Sequence, residues 1–261
     1  MYKHHKETIE RIVEELRTDE TVLGILLTGS IAHGFAMPKS DVDIMIIISE
    51  EDYERKAKIG KLTYWNKKIC TYEDGYVDGK YISRGFMEKV AESGSEPARF
   101  AFEGAVILYT KIEALDALLQ KITTYPTDKK AENVGRFFAQ LEAWKWYAFE
   151  AIKHNNEYLL NHSVSNLVLF GGRLILAYNE VLYPYHKWFM KVLDKVKKKP
   201  ENIMSIIGDL LSNKNKENIE RFYECIIHFA DWGIDDLNWS SQFVIDSELN
   251  WLGRNTPIND I

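Results

Sequence analysis

The sequence predicts an α+β fold in two parts. A small mixed β-sheet with flanking helices is expected over residues 1–123, and an all-helical bundle domain over residues 124–261. In the first part, short apolar runs rich in β-branched residues alternate with helical patterns, as in a sheet covered by helices. In the second part every apolar pattern has the helical period. Proline residues fall between the predicted helices, at Pro126, Pro184 and Pro200.

The first part begins with an amphipathic helix near residues 5–18, where apolar residues recur at helical spacing. The run Val22–Leu27 predicts a buried strand that a Thr-Gly-Ser turn stops. The later elements, in order, are a short helix at 31–36, a strand at 42–48, a helix at 50–64, a hairpin over 69–82 around Asp74-Gly75, a helix at 86–92 and a strand at 105–109.

In the helical part, Thr127 or Asp128 is the predicted cap of a long helix that runs to about His154. The remaining predicted helices cover residues 163–182, 185–198, 203–211, 217–230 and 241–252. The basic run Lys195–Lys199 stands at the end of one of them, where cations complement the helix dipole. It therefore does not by itself indicate nucleic-acid binding.

Composition and charge restrict the classes of partner. The chain has 261 residues, 46% hydrophobic and 28% charged, which is the balance of a globular protein that buries a core without disulfides. A net charge of -6 argues against capture of long nucleic acid and is compatible with a cationic small substrate. Cys70 and Cys225 form no CxxC pair, which favours two free thiols in a reducing compartment.

The sequence shows no membrane or export signal. Uninterrupted apolar runs fall well below the roughly 20 residues that a spanning helix needs. Met1–Lys6 leads directly into the first amphipathic helix, without the apolar segment of a signal peptide. We therefore expect a cytoplasmic protein with no membrane partner.

Two carboxylates stand at the start of the second predicted strand. Asp41 and Asp43 are two residues apart, and side chains at that spacing in a strand point to the same face. Their charges would repel each other, and a divalent cation removes that cost. Hard oxygen ligands suit Mg²⁺ or Mn²⁺. Taken alone, the pair is more typical of a solvated loop before a strand.

The Gly29-Ser30 turn lies ten residues (31–40) before this pair. At the start of a short helix its backbone amides can face an anion. Gly29 permits close approach of the backbone, and Ser30 offers a hydroxyl to a phosphate oxygen. A Gly-Ser pair alone indicates only a turn. Together with the Asp pair it predicts one site that holds both phosphate and metal.

The stretch Leu26–Ile48 resembles the signature of the nucleotidyltransferase superfamily typified by DNA polymerase beta. That signature is an apolar strand, Gly-Ser, about ten residues, and Asp-x-Asp framed by apolar residues; Ser40 also matches it. The two-part layout is similar to that of bacterial antibiotic nucleotidyltransferases of the aminoglycoside and lincosamide type and their uncharacterised relatives. The segment Tyr183–Trp188 is similar to one in those relatives. The signature covers under a tenth of the chain, and the layout extends loosely over all of it.

The resemblance implies a third carboxylate on a neighbouring strand. Asp78 is assigned because β-forming residues flank it, and Glu73 and Asp74 remain competitors. By the same resemblance, Asp41, Asp43 and Asp78 are the expected metal ligands and catalytic residues. Asp78 is expected to serve the acceptor side and to take the proton of the acceptor hydroxyl.

The resemblance also implies where a nucleotide binds. Gly29 and Ser30 are expected to hold the β- and γ-phosphates of ATP or another nucleoside triphosphate, and Lys187 to neutralise a phosphate from the helical domain. Lys187 is equally compatible with a surface lysine. His33 lies within the turn, and either a triphosphate contact or an exposed loop position is open for it.

The implied activity is transfer of a nucleoside monophosphate, AMP from ATP being the first expectation, to a hydroxyl of a small acceptor such as an aminoglycoside-like antibiotic. The expected partners are a nucleoside triphosphate and this acceptor, with a homodimer left open. An alternative is a nucleotide-binding regulatory or antitoxin-like module with the same fold and no turnover. A third is a helical interaction protein in which the Asp pair has no function.

Overall fold

A computed structural model describes residues 1–253 of the chain. The chain divides into two compact units, the first spanning Met1–Thr124 and the second beginning at Tyr125. All strands of the described residues lie in the first unit, and the second is built from helices. The predicted fold class, an α+β part followed by a helical part, is confirmed.

The first unit is organised around a five-stranded mixed sheet with the order β3-β4-β2-β1-β5. The strands are β1 (Val22–Leu27), β2 (Val42–Ile48), β3 (Thr63–Asn66), β4 (Val77–Ser83) and β5 (Val106–Thr110). Strands β2 and β4 run parallel, and the other neighbouring pairs are antiparallel. The helices are α1 (Lys3–Leu16), α2 (Gly29–Ala32), α3 (Glu50–Lys58), α4 (Arg84–Ser93), α5 (Glu96–Phe100) and α6 (Leu115–Thr123).

Strand β2 is buried on both faces of the sheet. Ile44 and Ile46 belong to the hydrophobic core that includes residues of α1. Met45 and Ile47 belong to a second core that includes residues of α4 and α6. A strand that is covered on both sides is expected to have a continuous apolar sequence, as β2 does. The carboxylates at its start are therefore attached to a firmly packed strand.

Two predictions on the first unit are wrong in detail. The helix predicted over 50–64 ends at Lys58, because Gly60 has a φ of 68°, a left-handed conformation that terminates helices. The residues that follow form β3 instead. The hairpin predicted over 69–82 does not form, because residues 67–76 contain no strand; β4 pairs with β3 instead, and the Asp74-Gly75 turn lies in the long connection between them. The sequence patterns also gave no indication of α5 and α6.

The second unit consists of helices and short helical turns. The helices are α7 (Lys130–Lys153), α8 (Glu157–Tyr178), α9 (Phe189–Lys195), α10 (Ile203–Ser212), α11 (Lys216–Ile227) and α12 (Trp239–Phe243). A 3-10 turn at Thr127–Lys129 precedes α7, and a π-helical turn at Val244–Glu248 follows α12. Within residues 1–253 no helix is long and apolar enough to cross a membrane.

Predictions on the second unit also need correction. Neither Thr127 nor Asp128 caps α7, because both lie in the 3-10 turn and the cap position falls on Lys129, which makes no capping bond with its side chain. The helix predicted over 185–198 begins only at Phe189. Tyr185 has a φ of 65°, which is incompatible with a right-handed helix. The helix predicted over 241–252 is divided by the π-helical turn.

Candidate active site

Three carboxylates meet at one edge of the sheet. The parallel register of β2 and β4 places Asp43 directly beside Asp78. Asp41 stands one residue before β2, two positions from Asp43 and thus on the same face. Each residue is partly buried, and their carboxylate oxygens lie within 4.8 Å of one another. The structure thus places the three predicted metal ligands together.

The turn at Gly29 packs directly against this group. The Thr28 amide donates to the Asp43 carbonyl at 2.9 Å, which joins the turn to β2. Gly29 has a φ of 62°, and a Cβ at this position would lie 1.9 Å from Oδ2 of Asp43. Only glycine satisfies both the backbone conformation and the space. Any side chain here would displace the Asp43 carboxylate.

Ser30 is the second residue of α2, and only 5% of it is exposed. Its hydroxyl finds no hydrogen-bond partner among residues 1–253. Unsatisfied buried hydroxyls are uncommon in folded proteins. The hydroxyl is closed off from solvent in this conformation, so a phosphate reaches it only after the side chain rotates or the turn moves. The first amides of α2 have no acceptor inside the helix, as at every helix start.

Tyr76 is a site residue that the sequence analysis did not identify. Its hydroxyl hydrogen-bonds the Asp41 carboxylate. That bond and the charge of Asp41 raise the pKa of Tyr76, as do burial and the charges of Asp78 and Asp43. The Tyr76 carbonyl also accepts the Val42 amide at 3.1 Å, which extends the pairing of β2 with β4. The one sequence signal was its position two residues before Asp78.

The other candidates are not members of this carboxylate group. Glu73 and Asp74 are exposed in the connection before β4, and Asp74 pairs with Lys39 at 3.7 Å. His33 is half-buried rather than exposed. It stacks on Phe100 with ring centroids 4.6 Å apart, and burial lowers its pKa.

Lys187 belongs to the second unit. It is exposed, and its ammonium lies 5.1 Å from the ring centroid of Trp188. A role in binding phosphate stays a prediction for this residue.

Two solved structures are similar to the chain at low sequence identity. One is the crystal structure of a nucleotidyltransferase-like protein from Exiguobacterium sibiricum, with 11% identity and a TM-score of 0.49 over 98% of this chain and 83% of that chain. Spectinomycin adenyltransferase AAD(9) from Enterococcus faecialis, solved with ATP and spectinomycin, has 16% identity and a TM-score of 0.34 over 95% and 99%. At such TM-scores these likenesses carry no information on activity. No curated protein sequence matches the chain significantly.

A family model matches part of the chain. The model described as "Nucleotidyltransferase domain" matches residues 9–107. This range contains the Gly29-Ser30 turn and all three carboxylates of the site. The match covers most of the part of the chain that forms the sheet, and the helical part lies outside it.

Proposed function

We propose that this chain is a metal-dependent nucleotidyltransferase. It transfers a nucleoside monophosphate, AMP from ATP in the first instance, to a hydroxyl of a small acceptor and releases pyrophosphate. The observation that carries the proposal is the convergence of Asp41, Asp43 and Asp78 within 4.8 Å beside the Gly29 turn. The family match over residues 9–107 supports the reaction class.

The residues present fit a divalent metal centre. Two carboxylates 4 Å apart near a protein surface repel by roughly 4 kcal/mol before salt screening, so three of them form a costly arrangement. Cations remove that cost, and an all-oxygen donor set suits Mg²⁺ or Mn²⁺. When bound, two such ions would stabilise the charge that develops on the reacting phosphate oxygens.

Each residue of the chain has a defined task in this proposal. Asp41 and Asp43 would hold both ions. Asp78, on the strand farther from the Gly29 turn, would hold the ion on the acceptor side and take the proton of the attacking hydroxyl. The amides at Gly29 and Ser30 would orient the triphosphate with little reorganisation during the reaction.

The acceptor is proposed to be a small hydroxylated compound. The net charge of -6 disfavours long nucleic acid and is compatible with a cationic, aminoglycoside-like sugar. Lys187 is proposed to neutralise a phosphate of the bound nucleotide. The chain would then act on freely diffusing partners, and a screen of soluble acceptors can find them.

The test is a transfer assay with the full-length protein. Each nucleoside triphosphate, labelled at the α-phosphate, is incubated with Mg²⁺ and a panel of hydroxylated acceptors. Label in the acceptor and release of pyrophosphate are both measured. We expect both signals from wild type and from Asp116→Asn, a control that neutralises an exposed aspartate of the same unit. We expect neither from Asp43→Asn.

The rival regulatory module gives a different result. It would bind nucleotide without labelling any acceptor or releasing pyrophosphate. Equal transfer by Asp43→Asn and wild type would contradict the proposed site itself.

A further inference from the structure

The three carboxylates are held in different ways. Asp43 and Asp78 lie inside paired strands, where the ladder fixes their backbone. Asp41 lies outside any strand, at the end of the loop 37–41. Mutual repulsion therefore acts most effectively on Asp41, whose backbone has the greatest freedom to move away. The pairing of the Val42 amide with the Tyr76 carbonyl fixes the peptide that follows Asp41, so groups outside the sheet have to fix the peptide that precedes it.

Groups from two other segments bind this loop through its carbonyl oxygens. Nε2 of His4, on α1, lies 2.8 Å from the Pro38 carbonyl oxygen. The Tyr72 hydroxyl, from the connection before β4, donates to the Ser40 carbonyl oxygen at 2.7 Å. A turn within the loop adds a bond from the Ser40 amide to the Met37 carbonyl at 3.0 Å. The loop is thus tied on both sides of Lys39.

The bond from Tyr72 acts on Asp41 through one rigid unit. The Ser40 carbonyl and the Asp41 amide nitrogen lie in the same planar peptide group. Fixing the carbonyl oxygen therefore fixes the plane from which the Asp41 side chain departs. Tyr76 differs in this respect, because it bonds the Asp41 carboxylate itself, and a bound cation would compete for those oxygens. The Tyr72 bond touches only backbone and remains when the site is filled.

The ring of Tyr72 is itself firmly packed. Its centroid lies 4.4 Å from that of His4 and 5.3 Å from that of the fully buried His5. A Cβ at Gly75 would lie 2.6 Å from the ring, so the chain passes closely over it. Burial first, then neighbouring Cys70 and Asp41, raise the pKa of Tyr72 to about 12, and the hydroxyl keeps its proton at neutral pH. The packed ring thus holds the hydroxyl as a donor toward the Ser40 carbonyl.

We propose that Tyr72 is a positioning residue of the metal site, which holds the Ser40-Asp41 peptide so that Asp41 stays with Asp43 and Asp78. The inference rests on the proposed function, since it assigns Tyr72 a role toward the metal. Loss of its hydroxyl should weaken metal binding without removing a ligand. Residues that support metal ligands in this way are worth roughly 10- to 100-fold in affinity.

The test measures Mn²⁺ binding by the full-length protein without nucleotide. Free Mn²⁺ is followed by electron paramagnetic resonance in wild type, Tyr72→Phe, Tyr64→Phe and Asp43→Asn. Tyr64→Phe is the matched control, because it also loses a phenol hydrogen bond, to Glu15 at 3.2 Å, on the same sheet. We expect about a tenfold loss of Mn²⁺ affinity in Tyr72→Phe, the lower end of that range, and none in Tyr64→Phe. The melting temperatures of the two metal-free variants should fall by similar amounts.

The outcomes separate the two proposals. If wild type binds Mn²⁺ and Asp43→Asn does not, the proposed metal site is supported. If Tyr72→Phe then binds Mn²⁺ as tightly as wild type, the positioning role of Tyr72 is wrong, while the metal site still stands. If wild type and Asp43→Asn bind equally, the proposed function fails, and this inference with it. Should Tyr72→Phe not fold, His4→Ala decides. It removes the tether to Pro38, and an unchanged Mn²⁺ affinity would contradict the positioning of this loop.

Discussion

The two units differ in that the first gathers like charges at one place, in addition to ion pairs such as that of Lys39 with Asp74. In the first, three carboxylates are collected within 4.8 Å at the sheet edge. In the second, charges meet in opposite pairs, such as Lys145 with Glu220 at 2.8 Å and Lys130 with Glu180 at 2.8 Å. Opposite pairs need no ligand to be stable, whereas crowded like charges do. This contrast distinguishes the polar groups of the proposed site from those that serve the fold.

The first unit contains both kinds of group. The guanidinium of Arg99 is buried and donates to three carbonyl oxygens, those of Gly94, Ala91 and Ile122, at 3.0 to 3.1 Å. It joins α4, α5 and α6 on one side of the sheet. Such a satisfied buried cation is a structural device. Burial alone thus does not distinguish the proposed site from a structural group, whereas the sign and mutual distance of the charges do.

The strongest test of this contrast is Asp43→Asn. The amide keeps the shape but removes one charge, so transfer should fall about 10⁴-fold, beyond the roughly 10²–10³-fold that loss of one electrostatic stabiliser costs. The metal-free protein should become more stable, because repulsion at the site is relieved. Transfer is measured with labelled nucleotide, and stability by thermal unfolding in chelator. A metal-free variant less stable than wild type would contradict the repulsive arrangement.

Asp78→Asn separates the acceptor-side role from nucleotide binding. The triphosphate would still be held by Gly29, Ser30 and the remaining metal. Turnover should therefore fall by roughly the 10²–10⁴-fold typical of losing a general base, while ATP affinity changes much less. Single-turnover rates and nucleotide titrations give the two quantities. Near-normal turnover would mean that another carboxylate acts as the general base. Failure of the variant to fold would mean that Asp78 has a structural role.

Arg99→Met is the structural counterpart in the same unit. Three buried carbonyl oxygens lose their donor, which should lower the free energy of unfolding by about 3 kcal/mol. Since Arg99 makes no contact with the carboxylates, Mn²⁺ affinity of the folded variant should be unchanged. Urea unfolding and Mn²⁺ titration test the two statements. A loss of Mn²⁺ affinity with normal stability would mean that Arg99 serves the proposed metal site and not the fold.

The sequence defined this site well where chain geometry is local. Asp41, Asp43 and the Gly29 turn follow from strand period and turn chemistry, which act over a few residues. The position of Asp78 needed the resemblance, because pairing between β2 and β4 is set by packing over distant segments. Tyr72 and Tyr76 were not predictable. Their bonds to Ser40 and Asp41 depend on how a long connection folds back.

The fold shows the same limit. The strands β1, β2 and β5 were found because apolar runs of β-branched residues mark buried strands. Strand β3 is short and half-exposed at the sheet edge. The charged helical pattern before it extends into its first residues, so the sequence predicted helix where the strand begins. In the second unit the helical spacing of apolar residues predicted most of the helices. It failed at Tyr185, where a left-handed residue delays α9.

Tyr223→Phe tests the paired groups of the second unit and has the smallest expected effect. The Tyr223 hydroxyl donates to the Glu142 carboxylate, and Lys145 lies 3.5 Å from the ring centroid. Losing one hydrogen bond to a charged group should lower the free energy of unfolding by about 1–2 kcal/mol at neutral pH. Transfer activity should not change. Urea unfolding measures the difference, with Tyr158→Phe, an exposed tyrosine of the same unit, as control.

The same variant has a predicted pH dependence. Burial, and then the bond to and charge of Glu142, raise the pKa of Tyr223 above its usual value, so the folded state keeps a proton that the unfolded state loses above about pH 10. Stability therefore falls as pH rises past this value in wild type, and this contribution is missing in the variant. The stability difference between wild type and Tyr223→Phe should narrow above pH 10. A difference that stays constant from pH 7 to 11 would show that the phenol proton is not part of this paired network.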